Sequence, residues 1–559
     1  MYDGSELWPR EISGDLLAWG SGERGLPAYG ASPTSLYASL AASAARCPEA
    51  TAIVEDDAAE WTYGQLLRRV DSFAAYLSEV AQVRSGDRVA LLLGASSDFV
   101  VALYAANRIG AVAVPLPTKY RHCEIGRLIE VACPAVIVAE TEWAAWCGAG
   151  SWRFTPLVLA VDPAAGLVLG QERLVPQLPP GARPTERNAG GRPGGIGSLD
   201  AVLLFTSGTT ALAKGALLTN AALAHAITTY ARILRVTDAD VMLLPVPIYH
   251  ITGMAAVTGL ALHVGATLVL HRRFDAERVL RTIVDRSVTF LHASPTVFAK
   301  LLECKADFPG LPSWRLAVCG AAHMPVGRVD ELLEWLPGLD FRSVYGLTET
   351  SSPATVMPPG PVAGWARGSC GRPIPGLKVR VVDSGGRERA DGLVGHVELT
   401  GSVLLRAYDA GAGGAAAAWS DDGWLRTGDM GYLRNGYLWI VDRAKDMINR
   451  GGEKVWCIDV EEALRFLAGV EDAAVVGIED AVYGEAVAAM IVPVASAALG
   501  GGEAWTDERI HKSLRERLAS HQVPSVLVRV AALPLTPNLK VDKRAVRRLV
   551  HEAMASTEA

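Results

Sequence analysis

The chain has 559 residues, about three to four times the usual length of one domain, so we expect at least two domains with ample cores. Half of the residues (50%) are hydrophobic, which excludes an intrinsically disordered chain. The formal net charge is −7 and the basic residues are scattered, so the sequence has no electrostatic footprint for nucleic acid.

The cysteines and the apolar segments indicate a cytoplasmic protein without stable membrane insertion. The eight cysteines show neither CxxC pairs nor a histidine spacing suited to zinc, which predicts free thiols in a reducing cytosol. The N-terminal segment MYDGSELWPREISG is acidic and interrupted, so we expect no signal peptide. The longest apolar stretch, GMAAVTGLALHVGATLVL, is divided by His263 and several glycines and predicts a buried helix followed by a strand.

Short apolar runs bounded by Gly or Pro alternate with helical patterns along most of the chain. This alternation predicts an α/β fold with parallel sheets buried on both faces. The runs are RVALLLG, GAVAVPLP, PAVIVAE, LVLAVD, AVLLFTSG, GATLVLHRR, SVTFLHASP, WRLAVCGAA and DFRSVYG. After Arg443 the pattern changes, with a Gly turn between a short strand and a helix in KDMINRGGEKVWCIDVEEALRFL. We therefore predict a large domain over residues 1–444 and a smaller α+β domain over residues 445–559.

The segment TSGTTALAKG, residues 206–215, follows a buried strand and has the composition of a phosphate-binding loop. Its backbone N–H groups and hydroxyls can surround phosphate oxygens while Lys214 supplies positive charge. The P-loop of kinases needs Gly before the Lys and Ser or Thr after it, whereas here Ala213 precedes Lys214 and Gly215 follows it. An ordinary Ser/Thr-rich turn with a solvated lysine is the competing interpretation, and this loop alone does not decide between them.

Four further segments favour a nucleotide site. Each alone has a plain structural interpretation, such as a core aromatic, a turn or a surface charge, but their joint occurrence in this order is specific. SVYGLTET follows an apolar strand, and ligands of open α/β sheets bind at such strand ends. The candidates are Tyr345, Gly346, Thr348 and Glu349 in SVYGLTET, Asp429 in GWLRTGDMGYL, Arg443 in VDRAKDMINRGGEKV, and Lys540 in LPLTPNLKVDKR.

With these motifs the sequence resembles the adenylate-forming superfamily of acyl-CoA synthetases, aryl-CoA ligases, luciferases and nonribosomal-peptide adenylation domains. The resemblance runs from PEATAIVEDDAAEWTYGQL to LKVDKRAVR, nearly the whole chain. It implies a large N-terminal domain of stacked α/β sheets, a small mobile α+β C-terminal domain, and an active site between them. It also implies the reaction. A carboxylate attacks the α-phosphate of Mg-ATP and releases pyrophosphate, and a thiol then attacks the acyl-adenylate and releases AMP.

The resemblance implies a role for each candidate residue. Lys540 would bridge the attacking carboxylate and the α-phosphate oxygens, stabilising charge in the transition state. Glu349 and Thr206 would ligate Mg²⁺, which prefers oxygen donors. The implied pyrophosphate-binding residues are Thr206, Ser207, Gly208, Thr209, Thr210 and Lys214. The implied nucleotide-binding residues are Tyr345 for adenine, Thr348 for the α-phosphate, Asp429 and Arg443 for the ribose, and Gly320, Ala321, Ala322 and Gly346.

Further positions are implied for the second half-reaction. His250 matches a position that orients the carboxylate and later gates the thiol, although a satisfied histidine at a helix start is the competing interpretation. Lys445 matches the hinge about which the small domain turns. After that rotation Gly451 and Gly452 would wall the pantetheine tunnel, where glycines let a thiol arm pass close to the backbone.

The branch of the superfamily follows from the surroundings of His250. YHITGMAAV has no acid to pair with a substrate ammonium, and the hinge segment resembles that of acyl-CoA synthetases, so CoA is the expected thiol. The small residues expected around the acyl group are Gly253, Ala293, Gly320, Ala321 and Gly346, which predict room for a bulky or long apolar acid. The predicted protein is an acyl-CoA ligase with ATP, Mg²⁺ and CoA, and a homodimer is left open.

Three departures from the family pattern fall on the machinery of the first half-reaction. Ala211 and Ala213 replace Gly and Pro, and Leu539 replaces the Gly before the catalytic lysine. An alanine forced to a positive φ costs roughly 1–2 kcal/mol. One alternative is therefore an adenylation-impaired enzyme that mainly thioesterifies a preformed acyl-adenylate. A second alternative is a non-catalytic acyl- or nucleotide-binding protein.

Overall fold

The computed structural model describes residues 1–18, 26–30, 32–55, 60–162, 198–206, 214–360, 364–409, 418–494, 506–536 and 540–558. The strands are β1 (Tyr2–Asp3), β2 (Thr51–Glu55), β3 (Glu60–Thr62), β4 (Arg88–Leu92), β5 (Val112–Pro115), β6 (Val136–Glu140), β7 (Leu157–Val161), β8 (Asp200–Thr206), β9 (Lys214–Thr219), β10 (Val241–Leu244), β11 (Thr267–Leu270), β12 (Phe290–Ala293), β13 (Leu316–Cys319), β14 (Asp340–Tyr345), β15 (Thr355–Val356), β16 (Arg372–Pro373), β17 (Leu377–Val382), β18 (Gly395–Gly401), β19 (Ala407–Tyr408), β20 (Leu425–Arg434), β21 (Tyr437–Arg443), β22 (Ile448–Arg450), β23 (Glu453–Val455), β24 (Val470–Asp480), β25 (Gly484–Pro493) and β26 (Val526–Arg529). The α-helices are α1 (Gly4–Leu7), α2 (Arg10–Ser13), α3 (Leu36–Arg46), α4 (Tyr63–Ala75), α5 (Ser97–Arg108), α6 (His122–Ala132), α7 (Thr141–Ala149), α8 (Asn220–Leu234), α9 (Leu260–Val264), α10 (Ala276–Asp285), α11 (Pro295–Glu303), α12 (Val326–Trp335), α13 (Cys457–Arg465), α14 (Asp507–Arg515) and α15 (Lys543–Glu558).

The strands before the C-terminal domain form three sheets. A seven-stranded sheet has the order β19-β9-β8-β5-β4-β6-β7, a nine-stranded sheet the order β16-β15-β14-β13-β12-β10-β11-β2-β3, and a five-stranded sheet the order β1-β17-β18-β20-β21. The largest core combines residues of all three sheets with α3, α4, α5 and α8. The predicted α/β architecture with buried parallel strands is confirmed.

A smaller α+β domain follows. Its sheet has the order β23-β22-β25-β24, with β26 paired to β25. Helices α13 and α14 bury Leu464 and Leu514 against one side of this sheet, and α15 buries Val546 and Val550 in a separate core. The spacing of four residues places these two valines on one face of the helix. The predicted small C-terminal domain is confirmed.

The long apolar stretch is a buried helix followed by a strand, as predicted. It forms a π-helix, Thr252–Gly259, that continues into α9 and then β11. Helices of this wider type are rare and often occur at functional sites. Within the described ranges, no helix is both long and apolar enough to cross a bilayer.

Candidate active site

Four neighbouring parallel strands end at the same edge of the nine-stranded sheet. Strand β10 pairs with β12, β12 with β13, and β13 with β14, all in parallel. The segments that follow β10, β13 and β14 contain His250, Gly320–Ala322 and Gly346–Glu349, respectively. Because ligands of open α/β sheets bind at the carboxyl ends of their strands, this edge is the expected position of a substrate site.

The predicted phosphate-binding loop joins two antiparallel strands. Thr206 ends β8 and Lys214 begins β9, and the two residues are paired across the hairpin. The Thr206 hydroxyl donates a hydrogen bond of 3.4 Å to the Lys214 carbonyl. A kinase P-loop leads into a helix, so the hairpin confirms that this loop is of another kind. Ser207, Gly208, Thr209, Thr210, Ala211 and Ala213 lie outside the described residues, as does Leu539.

Tyr345, Asp429 and Arg443 form one polar network. The Tyr345 hydroxyl donates to Asp429 Oδ2 at 2.6 Å, and Arg443 Nε lies 2.7 Å from Asp429 Oδ1. Asp429 is 3% exposed, and it faces Arg443 because β20 and β21 pair these two positions directly. Burial raises the pKa of Asp429, while Arg443 and Tyr345 act in the opposite direction. The predicted adenine and ribose positions are therefore in contact.

Lys540 of the C-terminal domain lies beside this network. A hydrogen bond of 2.7 Å runs from Thr536 N to the Lys540 carbonyl. Desolvation by the cleft lowers the pKa of Lys540, Arg443 lowers it further, and Asp429 and Glu349 raise it. Lys540 is nevertheless an exposed residue. The structure thus brings the predicted catalytic lysine to the predicted nucleotide residues.

Tyr408 links Glu349 to strand β9. Its hydroxyl donates to Glu349 Oε1 at 2.8 Å, and the Lys214 ammonium lies over its ring, 5.6 Å from the centroid. Tyr408 reaches this position because the two-residue strand β19 pairs it with Ala216 of β9. The motif reasoning missed Tyr408, because a tyrosine in so short a strand has no distinctive spacing.

Glu349 and Thr206 fit the donor set that Mg²⁺ requires when nucleotide phosphates complete its coordination. Oε1 of Glu349 accepts the Tyr408 hydrogen bond, which orients the carboxylate. Within the described ranges there is no group of three or more His, Cys, Asp or Glu side chains that could hold a metal alone. Mg²⁺ usually takes one or two protein oxygens together with phosphates and water, so the residues present suit this ion.

The loops after β13 and β14 contain residues with a left-handed backbone. Ala321, Ser351 and Ser352 have φ angles of 72°, 54° and 107°, a region that residues with a Cβ rarely adopt. The Ser352 carbonyl lies where a side chain at Gly346 would be, since a Cβ there would be 1.5 Å from Ser352 O. Such strained residues often occur at ligand sites, and both loops border the expected nucleotide position.

The C-terminal domain contacts the strained loop after β13. His323 Nε2 lies 2.6 Å from Glu462 Oε1 on α13, and Arg328 of α12 donates to the Glu471 carbonyl at 3.2 Å. These contacts accompany the arrangement in which Lys540 lies in the cleft. Lys445, the predicted hinge, is exposed two residues after β21.

Gly451 and Gly452 form a hairpin turn between β22 and β23. Their φ angles are 62° and 96°, as a two-residue turn of this kind requires. Gly451 N donates to the Tyr483 carbonyl at 2.8 Å, and both glycines are exposed. The prediction of a turn between a strand and a helix is wrong, because strand β23 intervenes before α13. In this arrangement Lys540 lies near Asp429 and Glu349.

His250 immediately precedes the helix that begins at Ile251. Its carbonyl accepts a hydrogen bond of 2.8 Å from Met254 N, and its ring contacts Tyr249 edge-on with centroids 4.7 Å apart. The side chain is half-buried. The position of His250 at a helix start agrees with the interpretation of it as a satisfied histidine. It is also compatible with the role in orienting the carboxylate that the resemblance implies.

Three of the five small residues expected around the acyl group do not leave space for it. A Cβ at Gly253 would lie 2.5 Å from the Pro247 carbonyl, so backbone atoms fill the space beside Gly253. The Ser352 carbonyl fills the space beside Gly346 in the same way. Ala293 points into a second core on the other side of the sheet. At Gly320 the nearest side chain is that of His292, 3.3 Å from a Cβ built there. The sequence reasoning missed His292, a polar residue inside an apolar strand.

Comparisons with known proteins agree with this geometry. Residues 40–409 match the AMP-binding enzyme family and residues 459–540 match the AMP-binding enzyme C-terminal domain. A methyl-dioxo-octahydroindenyl-propanoyl:CoA ligase of Mycobacterium tuberculosis is 33% identical over 90% of this chain and 96% of its own. Feruloyl-CoA synthase of Amycolatopsis sp is 30% identical, with 90% and 96% covered. The structure of ATP-bound MatB from Rhodopseudomonas palustris superimposes with a TM-score of 0.79 at 26% identity, covering 92% of this chain and 99% of MatB. The chain therefore belongs to the AMP-binding enzyme family, whose members are AMP-forming acid–thiol ligases.

Proposed function

We propose that this ligase converts a bulky, apolar, ring-containing acid into its CoA thioester. It uses ATP, Mg²⁺ and CoA and proceeds through an acyl-adenylate. The observation that supports this most directly is the convergence of Lys540 with Asp429, Arg443 and Glu349. The relatives reported above are named for a bicyclic propanoate and for ferulate, both ring acids.

In the first half-reaction a carboxylate oxygen attacks the α-phosphorus, and the bond to the bridging oxygen of pyrophosphate breaks. Tyr345 holds the adenine, and Asp429 and Arg443 hold the ribose. Lys540 donates hydrogen bonds to the attacking carboxylate and the α-phosphate oxygens, where negative charge develops. Glu349 and Thr206 would hold Mg²⁺, which neutralises phosphate charge when bound. Thr348, Gly320, Ala321 and Ala322 border the nucleotide.

In the second half-reaction the CoA thiolate attacks the acyl carbon, and the bond to the AMP oxygen breaks. A cleft lined by Lys119, Arg272, Arg273 and Tyr249 lies next to His250. Its cationic side chains suit the phosphates of CoA, which favours entry of the thiol from this side. Turning about Lys445 would withdraw Lys540 and bring Gly451 and Gly452 to the cleft.

The two half-reactions are tested separately. Exchange of radiolabelled pyrophosphate into ATP reports adenylation, and intact-mass detection of acyl-CoA from a synthetic acyl-adenylate reports thioesterification. We expect Lys540→Ala to abolish exchange and thioester formation from free acid while keeping formation from the acyl-adenylate. A Lys543→Ala variant is unsuitable as a control because Lys543 is half-buried and bonded to Glu461, so Lys512→Ala at an exposed position of α14 serves instead. Unchanged activity of Lys540→Ala from free acid would contradict the assignment.

The adenylation-impaired alternative is distinguished by the same assays. It predicts negligible exchange by the natural sequence together with rapid thioesterification of the acyl-adenylate. Brisk exchange would contradict it.

Three further predictions concern the whole protein. We propose that the domains divide at residues 444 and 445, which is supported by the position of Lys445 between β21 and β22. A cytoplasmic location agrees with the eight free cysteines. A homodimer stays a prediction, and sedimentation velocity of the purified protein measures it.

A further inference from the structure

His292 is a polar side chain in the apolar interior, on strand β12. It is 2% exposed, and its Nδ1 has no hydrogen-bond partner among the described residues. Strand alternation places it on the same side as Phe290, toward the largest core, while Leu291 and Ala293 face the second core. Burying a polar group without a hydrogen bond is unfavourable, so the position of His292 calls for an explanation.

The strand that carries His292 lies between the two strands that lead to the expected acyl position. Strand β10 precedes the segment with His250, and β13 leads directly into Gly320. His292 Nε2 is 3.3 Å from the place where a Cβ of Gly320 would stand. Because Gly320 has no side chain, none separates the segment after β13 from this nitrogen, and the other nearest group is the Val344 carbonyl, 3.2 Å from the same point.

The other polar groups beside His292 are already paired with each other. The Tyr230 ring contacts His292 edge-on, with centroids 6.0 Å apart. The Tyr230 hydroxyl and Ser352 Oγ are 3.0 Å apart and share a hydrogen bond. Of these three residues, His292 is thus the one that can still form a hydrogen bond with a ligand.

The His292 ring is neutral, which determines how many hydrogen-bond donors and acceptors it has. Burial lowers the pKa of His292 to about 3, so near neutral pH the ring has one N–H donor and one acceptor nitrogen. Nδ1 is sealed from solvent, and an unsatisfied donor there would be costly. The proton is therefore assigned to Nε2, on the side of Gly320, which makes His292 a hydrogen-bond donor toward the acyl position.

We propose that His292 determines specificity for an acid that has a keto oxygen on an otherwise apolar skeleton, with Nε2–H donating a hydrogen bond to that oxygen. The inference rests on the proposed function, because the acid substrate is the ligand. A keto oxygen accepts without needing a partner for a proton of its own, whereas a hydroxyl would bring a second donor. A second carboxylate would bring a buried charge beside a neutral ring, which is unfavourable.

The test compares two acids that differ only at this oxygen. The probes are oxocyclohexyl-propanoate and cyclohexyl-propanoate, each assayed for kcat/KM of CoA thioester formation. We expect the natural enzyme to prefer the keto acid by on the order of tenfold, the effect of one well-placed hydrogen bond. His292→Phe should remove this preference by lowering kcat/KM for the keto acid alone. His292→Gln, which keeps a donor, should restore part of it.

A matched control separates specificity from a disturbed core. Tyr104 on α5 is 1% exposed, and its hydroxyl also lacks a partner among the described residues. Tyr104→Phe should leave the ratio of the two kcat/KM values unchanged. Thermal unfolding of each variant is measured alongside, and His292→Gln remains informative if His292→Phe does not fold.

Two results would overturn the inference, and one of them leaves the proposed function intact. Equal kcat/KM of the natural enzyme for the two acids, or an equal loss for both in His292→Phe, contradicts the keto-acid assignment while the ligase activity stands. Failure to form a thioester from either acid contradicts the ring-acid function itself and the inference with it.

Discussion

Glu349 is held by a hydrogen bond that the nucleotide does not supply. The Tyr408 hydroxyl donates a hydrogen bond to Oε1 of the Glu349 carboxylate. Because the carboxylate is rigid and planar, this contact also restricts the direction of Oε2. The Lys214 ammonium over the Tyr408 ring joins this pair to the start of β9. We therefore expect Tyr408 to position the carboxylate relative to the predicted phosphate-binding loop between β8 and β9, because hydrogen bonds to carboxylates are among the stronger ones.

Tyr408→Phe removes this hydrogen bond and keeps the aromatic ring under Lys214. We expect the rate of ATP–pyrophosphate exchange to fall about tenfold, because about 1.4 kcal/mol of lost transition-state stabilisation has that effect. The Mg²⁺ concentration for half-maximal exchange should rise, which a loss of folded protein would not cause.

Tyr432→Phe is the matched control for this prediction. Tyr432 is a half-buried tyrosine of β20 that stacks on Trp439, with ring centroids 5.1 Å apart. Its exchange rate and Mg²⁺ dependence should equal those of the natural enzyme. An unchanged Mg²⁺ dependence in Tyr408→Phe would show that Tyr408 does not position Glu349.

Single residues could be predicted from the sequence where a motif fixes their spacing. Tyr345, Asp429, Arg443 and Lys540 were predicted in this way, and the structure brings them together. Tyr408 could not be predicted, because its role depends on pairing between β19 and a strand that is distant along the chain. The lack of space beside the small residues could not be predicted either, since the Pro247 carbonyl occupies the position next to Gly253.

At the scale of elements, the turn after β21 connects the two domains. Backbone hydrogen bonds here run from Ala444 N to the Gly428 carbonyl and from Asp446 N and Met447 N to the Arg443 carbonyl. They define one arrangement of the turn, the one with Lys540 near Asp429 and Glu349. A few such residues at the end of an element are enough to absorb a domain rotation.

Lys445→Pro should separate the two half-reactions. Proline fixes φ near −65° and restricts the preceding residue as well, so the rotation is hindered. We expect pyrophosphate exchange within a few-fold of the natural rate, because Lys540 already lies near Asp429 and Glu349. Thioesterification of a supplied acyl-adenylate should be at least tenfold slower. Lys445→Ala, which removes the side chain and keeps the backbone free, should retain both rates. Equal thioesterification by Lys445→Pro and Lys445→Ala would exclude Lys445 as the hinge.

Element type was predictable and element boundaries were less so. The periodic apolar runs gave the alternation of strands and helices, because burial determines that pattern. The turn at Gly451 and Gly452 was placed before a helix, whereas the three-residue strand β23 intervenes. A strand so short has too few residues for a period to be recognised.

At the scale of the whole molecule, buried histidines make the fold sensitive to acid. Burial lowers the pKa of His225 to about 4 and that of His292 to about 3, from an ordinary value of 6.5. Both rings are therefore neutral in the folded protein and become protonated on unfolding below pH 6.5. The unfolded state then binds more protons, which shifts the equilibrium toward it.

We expect the free energy of unfolding to be constant above about pH 6.5 and to fall between about pH 6.5 and 4, by about 1.4 kcal/mol per pH unit for each histidine. Denaturant unfolding from pH 7.5 downward measures this slope. His292→Phe should reduce the slope, and His551→Gln, at an exposed position of α15, should not. Equal slopes for the natural protein and His292→Phe would contradict the lowered pKa of His292 in the folded protein.

The overall architecture was the most predictable property. The stacked α/β sheets, the small α+β domain and the order of the motifs along the chain were all anticipated, because each depends on hydrophobic patterning or on a specific resemblance. The identity of the acid was not, since it depends on which side chains border the substrate, and the position of His292 beside Gly320 depends on the pairing of β12 with β13.

The exposed glycine hairpin has a kinetic consequence. In the proposed cycle one cleft receives Lys540 first and the Gly451–Gly452 turn second, and in the structure the turn is exposed while Lys540 lies near Asp429 and Glu349. Every turnover then contains a step in which a body of about a hundred residues moves against solvent friction, on a timescale of microseconds to milliseconds. The viscosity of the medium, and not only the chemistry of the two bonds, sets a ceiling on how fast this ligase can work.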